Sequence, residues 1–418
     1  MARSIRRVVS RARGRALLLR GAAAALGASL LGAPSASRGE DLPADPPLMV
    51  VDLHVDIPWQ VHFKRRLPTL VEGHASLAAM QKGGYGGLVF PIYLPDRAPE
   101  KKRMHDSTIE DADAILRSID AIIAASPAFL PLGSSRAAPD KISTFLAIEG
   151  AGAFGQDITQ IDRFIARGLR LVSPAHRKNS PLSASATGEK VSYGLTPLGK
   201  EFCARVYEHG ALVDVSHVSD QAFLDIAAIA EAHHAPVVAT HSNSRAIAAS
   251  PRNLTDEQLR IIGKSGGVAG LNLHAPFVSG RPSATIDDVI AQVEHMVQVA
   301  GVDHVAIGTD FDGDISPPAG LDDASTMPVL ARALRRRGLS YEDTLKIFSL
   351  NSLRILGWAP PRESPEPIRD TPRETPQSST GETPAPRPSA AMGPRPAFSW
   401  GCASPPPGSP TGAAATEL

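Results

Sequence analysis

Seven side chains that could bind a metal ion or carry a proton lie at or just after the ends of short apolar runs. They are His54, Asp56, Glu149, His176, His217, His241 and Asp310. Each one alone is more often a helix cap or a solvated loop residue than a functional group. Their joint placement is unusual, because the chain has only 13 histidines among 418 residues. The pattern therefore indicates one site that is built from several segments.

The residue types predict a metal centre with nitrogen and oxygen ligands. The predicted ligands are His54, Asp56, Glu149, His217 and His241. Such ligands suit Zn²⁺ and, with more carboxylate, Mn²⁺ or Fe²⁺. Five ligands exceed what one catalytic zinc usually takes, so two metals that share a carboxylate fit better. Glu149 is the predicted bridge because a carboxylate offers two oxygens, and a bridging hydroxide would be the nucleophile.

The other two groups indicate the type of reaction. Beside a dinuclear centre, Asp310 could accept a proton from the bridging water and pass it to the leaving group. His176 could polarise a carbonyl oxygen or bind an oxyanion. His54 and Asp56 occupy alternate positions of an extended segment, so both side chains can face one metal. The predicted chemistry is metal-assisted hydrolysis of an amide or an ester.

Eight apolar runs of strand length would have to position these groups. They span residues 48–53, 87–94, 143–148, 169–174, 211–216, 236–240, 267–272 and 304–309. Amphipathic helical patterns separate most of them, for example at 111–125, 196–210 and 286–301. Eight such units predict an α/β fold, a (β/α)8 TIM-type barrel, whose strand ends would bring the seven side chains to one face. The alternative is an open doubly wound sheet, although no G-x-G-x-x-G follows the first strand.

The two ends of the chain differ from the middle. Residues 1–40 combine a basic segment with a short apolar run and predict an export signal, which implies a periplasmic or secreted, bacterial-type protein. Residues 44–358 form the predicted catalytic domain, and the Pro-rich residues 359–418 form a predicted disordered tail. A net charge of zero without a basic stripe predicts no nucleic-acid partner. No stable membrane span is expected, and Cys203 and Cys402 form no disulfide framework.

Sequence segments along the whole predicted domain resemble the zinc-dependent membrane dipeptidases, also called renal dipeptidases, of the metal-dependent amidohydrolase group. The most specific are DLHVDIP, DVSHVS and IGTDFDG, and FLAIEG, GLRLVSPAHRKN, PVVATHSNSRAI and PRNLTDEQL also match in family order. The resemblance implies a barrel with two Zn²⁺ ions per chain that hydrolyses the peptide bond of dipeptides. Tolerance of a C-terminal D-residue and a homodimer are compatible with it.

The resemblance also implies how the ligands divide between the two metals. One zinc would be held by His54, Asp56 and Glu149. The other would be held by Glu149, His217 and His241. Glu149 would therefore be the shared ligand, in agreement with the role that its two oxygens suggest.

Three further roles follow from the resemblance. Asp310 would move the proton, His176 would contact the scissile carbonyl, and Arg252 would bind the C-terminal carboxylate of the dipeptide as a bidentate fork. The chain departs from the family in the segment SPLSASATG, where an acid is usual, and near LNLHAPF, where His274 replaces a tyrosine. These departures concern the substrate pocket, so a related amidohydrolase acting on N-acyl amino acids, lactams or a dipeptide-like metabolite is the alternative. Asp52 is predicted to make a buried hydrogen bond or salt bridge and not to bind metal.

Overall fold

The structure, a computed structural model, describes residues 47–96, 98–100, 103–134 and 140–357. The predicted export signal at 1–40 and the predicted tail at 359–418 lie outside these residues. The described residues include all eight predicted strands. Within the described ranges, no helix combines the length and the apolar character needed to cross a membrane.

Eight parallel strands form a nearly closed barrel. They are β1 (Val50–Asp52), β2 (Tyr85–Tyr93), β3 (Ser143–Glu149), β4 (Leu169–Ser173), β5 (Leu212–Val213), β6 (Val238–Ala239), β7 (Val268–Leu271) and β8 (Val305–Ile307). Their spatial order is β5-β4-β3-β2-β1-β8-β7-β6, so the first strand pairs with the last. A hydrogen bond from the N–H of Val215 to the carbonyl of Val238 (2.8 Å) links the two ends of this order. The predicted barrel is confirmed, and the open doubly wound alternative is wrong.

Helices connect the strands, and side-chain caps fix where the four longest helices begin. Within the described residues the α-helices are α1 (Ile57–His62), α2 (Leu77–Gly83), α3 (Ile109–Ala125), α4 (Ile161–Ala166), α5 (Pro197–Glu208), α6 (Asp220–Ala232), α7 (Asp256–Lys264), α8 (Ala275–Ser279), α9 (Ile286–Ala300), α10 (Met327–Arg336), α11 (Tyr341–Leu345) and α12 (Asn351–Leu356). Thr108 and Asp111 form a capping box at the start of α3, and Thr285 and Asp288 form one at α9. The three helical segments cited from the sequence correspond to α3, α5 and α9.

Asp52 explains why β1 and β8 are shorter than their apolar runs. Its carboxylate accepts hydrogen bonds from the backbone N–H groups of His54 (3.2 Å) and Thr309 (2.9 Å), and from the Thr309 hydroxyl (2.6 Å). The hydroxyl of Tyr85 donates to the same carboxylate (3.1 Å). These side-chain bonds interrupt the ladder between β1 and β8, and parallel backbone pairing resumes at Val55 and Phe311. The predicted buried hydrogen bonding of Asp52 is confirmed.

Asp214 ends β5 and β6 in the same way. Its carboxylate accepts from the backbone N–H groups of Ser216 (2.9 Å) and Thr240 (2.9 Å). The Thr240 hydroxyl also donates to it, at 2.6 Å. The apolar runs at 211–216 and 236–240 therefore contribute only two strand residues each. The segments released from the ladder are those that carry His217 and His241.

The core of the barrel accounts for the lack of alternation in the apolar runs. All seven residues of β3 are buried, and most of β2 is buried as well. Parallel strands that are covered by helices on one face and by the barrel interior on the other need apolar residues on both faces. In the barrel strands the acidic residues are Asp52 and Glu149, each the last residue of its strand, and Arg170 near the start of β4 is only partly buried. The carboxyl ends of the strands therefore carry the chemistry.

Candidate metal centre and active site

The carboxyl ends of the strands bring the predicted site residues to one face of the barrel. Glu149 is the last residue of β3, whereas His54 and Asp56 follow β1, His176 follows β4, His217 follows β5, His241 follows β6 and Asp310 follows β8. All of them except Asp310 are at most 7% exposed. Asp310 is partly exposed to the cavity that these residues line. The structure thus gathers all seven side chains, and their roles stay predictions.

Backbone hydrogen bonds couple the segment after β1 to the segment after β8. The N–H of Asp310 donates to the carbonyl of His54 (3.0 Å), and the N–H of Asp56 donates to the carbonyl of Phe311 (2.8 Å). This pairing continues the contact between the first and last strands beyond the ladder itself. As a result, ligand atoms of His54, Asp56 and Asp310 lie within 4.8 Å of one another.

Glu149 lies between the histidines. Its Oε1 lies 2.9 Å from Nε2 of His217, 3.6 Å from Nε2 of His241 and 3.8 Å from Nε2 of His176. Its Oε2 lies 3.6 Å from Nε2 of His54. Burial would raise the pKa of Glu149, but the neighbouring imidazoles, His54 first, hold it well below its ordinary value. The carboxylate is therefore ionised, and its two oxygens face different histidines, as a bridging ligand requires.

His217 and His241 direct neutral ring nitrogens at the same point. Their Nε2 atoms lie 2.9 Å apart. Burial is the main cause that lowers the pKa of both imidazoles well below the ordinary value, and nearby cationic groups add to it. Neutral imidazole is the form that binds a metal ion. His217 also has a left-handed backbone, with φ at 73°, a conformation that non-glycine residues adopt mainly where the surrounding structure imposes it.

The chemistry of this donor set fits bound cations. Nε2 of His54 is buried and makes no hydrogen bond within the described residues, although it lies 3.4 Å from a carboxylate oxygen of Asp56. Buried polar atoms normally have a partner. Carboxylate oxygens of Asp56 and Asp310 also lie within 4.8 Å of each other, and, next to burial, the charge of Glu149 contributes to the raised pKa of both. Like charges so close need a compensating positive charge. Metal ions would supply both the missing partner and the charge.

The ligand atoms group into three overlapping clusters. Each of the sets His54–Glu149–His241, Glu149–His176–His217 and His54–Asp56–Asp310 has its ligand atoms within 4.8 Å of one another. The five predicted ligands are all represented, and Glu149 is in two sets. In these overlapping sets His241 lies with His54 and His176 lies with His217, and the predicted division of the ligands between two metals stays a prediction. His176 and Asp310 are thus close enough to take part in ligation as well.

Sequence reasoning missed Asn272, which holds Asp310. Its Nδ2 donates to Oδ2 of Asp310 (2.9 Å), and its Oδ1 accepts from the backbone N–H of His274 (2.6 Å). Burial, together with the carboxylate of Asp56, raises the pKa of Asp310 well above its ordinary value. Asn272 directly follows β7, so its position at the end of the seventh apolar run was the available signal.

Arg252 is buried, and no ion pair among the described residues involves it. Its exposure is 6%, and its hydrogen bonds are long: Nη1 to Oγ of Ser242 and Nη2 to the carbonyl of His241, both 3.4 Å. Nε has no partner within the described part of the chain. Burial lowers the pKa of this guanidinium. A buried guanidinium is costly unless an anion pairs with it, so this side chain fits a ligand carboxylate.

Arg252 and Glu149 line one cavity of about 420 Å³. His176 lies in it too, with its ring 4.7 Å from that of Tyr93 in an edge-on contact. Burial lowers the pKa of His176 to about 4, so its imidazole is neutral at pH 7 and can donate one N–H bond. Trp59 and Phe277 provide apolar wall. The volume lies within the range of roughly 300–1,000 Å³ that is usual for small-molecule sites.

The sequence matches the model of the membrane dipeptidase family, peptidase family M19, over residues 46–363. The chain belongs to this family. It is 28% identical over 347 residues to the dipeptidase ataJ of Aspergillus terreus, covering 73% of this chain and 83% of that one. Two solved structures are each 28% identical to this chain with a TM-score of 0.67. One is the M19 dipeptidase AC, and the match covers 74% of this chain and 98% of that one. The other is a Rhodobacter sphaeroides metallopeptidase liganded with a phosphinate mimic of L-Ala-D-Ala, and the match covers 74% of this chain and 99% of that one. The predicted family and enzyme class, a metallo-dipeptidase, are confirmed.

In this M19 dipeptidase, two buried hydrogen bonds link His241 through Thr240 to Asp214, and this chain of bonds is here called the relay. The relay determines which ring nitrogen of His241 carries a proton and which one is free to face Glu149. The Thr240 hydroxyl donates to Oδ2 of Asp214 (2.6 Å), so its oxygen accepts from the Nδ1–H of His241 (2.7 Å). A proton on Nδ1 leaves a lone pair on Nε2, the atom that a metal would use. Sequence reasoning missed Asp214 and Thr240. The available signal was an aspartate shortly before two of the three ligand histidines, in DLH and in DVSH.

Proposed function

We propose that this chain hydrolyses the peptide bond of dipeptides with two zinc ions. One observation carries the proposal: the buried guanidinium of Arg252, which has no ion pair within the described residues, shares a cavity with the ligands that converge on Glu149. A carboxylate is the group that pairs with a guanidinium in a bidentate fork. A substrate held there by its C-terminal carboxylate would present its last peptide bond to the ligand cluster. The cavity of about 420 Å³ favours a short substrate.

The proposed zinc ligands are those expected from the sequence. His54, Asp56 and Glu149 would hold one ion, and Glu149, His217 and His241 would hold the other. The support is the opposed direction of the two Glu149 oxygens and the neutral state of His217 and His241. Bound there, zinc would polarise the scissile carbonyl and lower the pKa of a water molecule.

The side chains around the metals carry the remaining steps. Neutral His176 would donate a hydrogen bond to the scissile carbonyl oxygen and stabilise the negative charge that develops on it. Asp310 would accept a proton from the attacking water and deliver it to the leaving amine nitrogen. The amide of Asn272, 2.9 Å from Oδ2 of Asp310, would keep that carboxyl oriented during both transfers. Arg252 would fix the substrate by its α-carboxylate.

A hydrolysis assay tests the proposal. Zinc-loaded protein would be tested on a panel of dipeptides and of N-acetyl amino acids, before and after removal of metal with a chelator. We expect the dipeptides to be cleaved, activity to be lost on chelation and zinc to restore it. Faster hydrolysis of the N-acetyl amino acids, which share the carboxylate but lack a free amino group, would favour the alternative amidohydrolase. Full activity of the metal-free protein would contradict the proposal.

Three finer predictions belong to the same proposal. Tolerance of a C-terminal D-residue is supported by the Rhodobacter sphaeroides relative, which binds a mimic of L-Ala-D-Ala, and comparing L-Ala-D-Ala with L-Ala-L-Ala tests it. Export rests on the sequence of residues 1–40, and N-terminal sequencing of extracellular or periplasmic protein tests it. Homodimer formation rests on family resemblance alone, and light scattering tests it.

The relay behind His241 gives a separate prediction. Thr240→Val keeps the shape of the side chain but removes the hydroxyl, so the Nδ1–H of His241 loses its acceptor and the tautomer is no longer fixed. We expect zinc affinity to fall about 10–100-fold, the usual range for such outer-shell changes. Competition with a chromophoric chelator measures it. Thr240→Ser retains the hydroxyl and should bind zinc like the wild type, and equal losses in both variants would contradict the relay.

A further inference from the structure

A second arginine, Arg177, lies at the same cavity. It directly follows His176, is exposed and lines the cavity together with Arg252 and His274. Among the described residues, its guanidinium takes part in no hydrogen bond or ion pair; only its backbone carbonyl is bonded. Next to burial, its charge contributes to the lowered pKa values of His176 and His274. The guanidinium therefore lies close to the cavity.

A loop without acidic residues holds the backbone of His176 and Arg177. The segment 180–188 reads SPLSASATG. Its Thr187 hydroxyl donates to the carbonyl of Arg177 (2.8 Å), and its Ser185 hydroxyl donates to the carbonyl of His176 (2.5 Å). The loop therefore holds the backbone of both residues in place but offers no carboxylate to the guanidinium.

Among the described residues, no carboxylate forms an ion pair with Arg177, although Asp96 is near enough for the charges of Lys178 and Arg177 to oppose the rise in its pKa that burial causes. Asp314 lines the cavity, but its carboxylate is paired with Lys64 at 3.5 Å. Glu149 and Asp56 are buried among the histidines, where they face the metal site. A substrate whose α-carboxylate pairs with Arg252 would thus leave one cation at the mouth without an anion.

We propose that Arg177 binds a second carboxylate of the substrate, so that the enzyme prefers dipeptides whose C-terminal residue is Asp or Glu. This subsite rests on the proposed dipeptidase function. In a bound dipeptide, the α-carboxylate would contact Arg252 and the scissile carbonyl oxygen would contact His176. The C-terminal residue would lie between these two contacts. Arg177 lines the same cavity next to His176, so its guanidinium would be close to the side chain of the C-terminal residue. A carboxylate there would form a charge-assisted hydrogen bond, which the neutral amide of Gln or Asn cannot equal.

Two nearly isosteric substrates test the subsite. kcat/KM would be measured for L-Ala-L-Glu and L-Ala-L-Gln with the zinc-loaded wild type, Arg177→Met and Lys178→Met. We expect the wild type to prefer L-Ala-L-Glu by about tenfold, and Arg177→Met to lose that preference through a higher KM for L-Ala-L-Glu. Lys178→Met removes a positive charge one residue away that does not line the cavity, so it should keep the preference. Added salt should weaken the preference of the wild type.

The other possible results show whether the subsite alone fails or the proposed dipeptidase function fails with it. A wild type that cleaves both dipeptides equally, or an Arg177→Met variant that slows both equally, would overturn the subsite while leaving the dipeptidase function intact. If Lys178→Met also lost the preference, the preference would depend on the overall positive charge near the cavity and not on a contact with Arg177. That result would also overturn the subsite. If the wild type cleaved neither these dipeptides nor L-Ala-L-Ala, the proposed function would fail and the subsite with it.

Discussion

Asp310→Asn should lower kcat about 10²–10⁴-fold and leave the zinc content unchanged. Asparagine matches aspartate in shape and, like aspartate, tolerates the left-handed backbone at this position, where φ is 63°. It can still accept the hydrogen bond that Asn272 donates to this carboxylate. What it lacks is an oxygen that can take up a proton. Steady-state kinetics on a dipeptide and elemental analysis of the same preparation measure both quantities.

Asp314→Asn is the matched control for this prediction. Asp314 lies in the same loop, also has a left-handed backbone with φ at 57°, and lines the same cavity. Its side chain is 58% exposed and is paired with Lys64. Exposed ion pairs contribute little, so this variant should keep near wild-type turnover. If Asp310→Asn instead lost zinc, Asp310 would be a metal ligand, as its place in a cluster with His54 and Asp56 would permit, and the proton-transfer role would be wrong.

The barrel and the gathering of the seven side chains could be predicted because one rule governs both. Parallel strands all point the same way, so whatever follows each strand arrives at the same face, whichever strands are neighbours. The residues after the apolar runs could therefore be grouped without knowing the pairing of the strands. The strand order then places β1 beside β8 and the remaining strands around them, and Glu149 comes to lie between the histidines.

The partners of the supporting residues could not be predicted, because they depend on which strands are neighbours and in what register. The hydrogen bond between Asp52 and Thr309 joins positions 257 residues apart, and no local pattern encodes it. The same holds for Asn272 with Asp310 and for Thr240 with Asp214. Arg252 reads from its local sequence as a surface residue before a helix, and its burial follows only from the fold. The grouping of ligands into clusters likewise depends on side-chain directions that spacing does not fix.

Glu149→Gln should abolish measurable dipeptidase activity and remove most of the bound zinc. The amide keeps the volume of the side chain, but its NH₂ group cannot bind a metal and the negative charge among the histidines is lost. Because Oε1 and Oε2 face different histidines, this single change affects both proposed zinc sites, whereas loss of His54 would affect one. Elemental analysis after dialysis should show zinc falling far below the two ions per chain proposed for the wild type.

The change in thermal stability when zinc is added shows whether Glu149→Gln has lost the bridging metal ligand or has lost turnover alone. A ligand at 100 times its Kd stabilises the folded state by about 2.7 kcal/mol, so the Tm of metal-free wild type should rise when zinc is added. Glu149→Gln should show little rise, because its sites lack the shared carboxylate. Glu189→Gln makes the same chemical change at an exposed position and should respond to zinc as the wild type does. A Glu149→Gln protein that kept two zinc ions and the full rise in Tm would exclude Glu149 as the bridge. Its carboxylate would then act on the substrate or its protons, and the metals would be held by the histidines with Asp56 and Asp310.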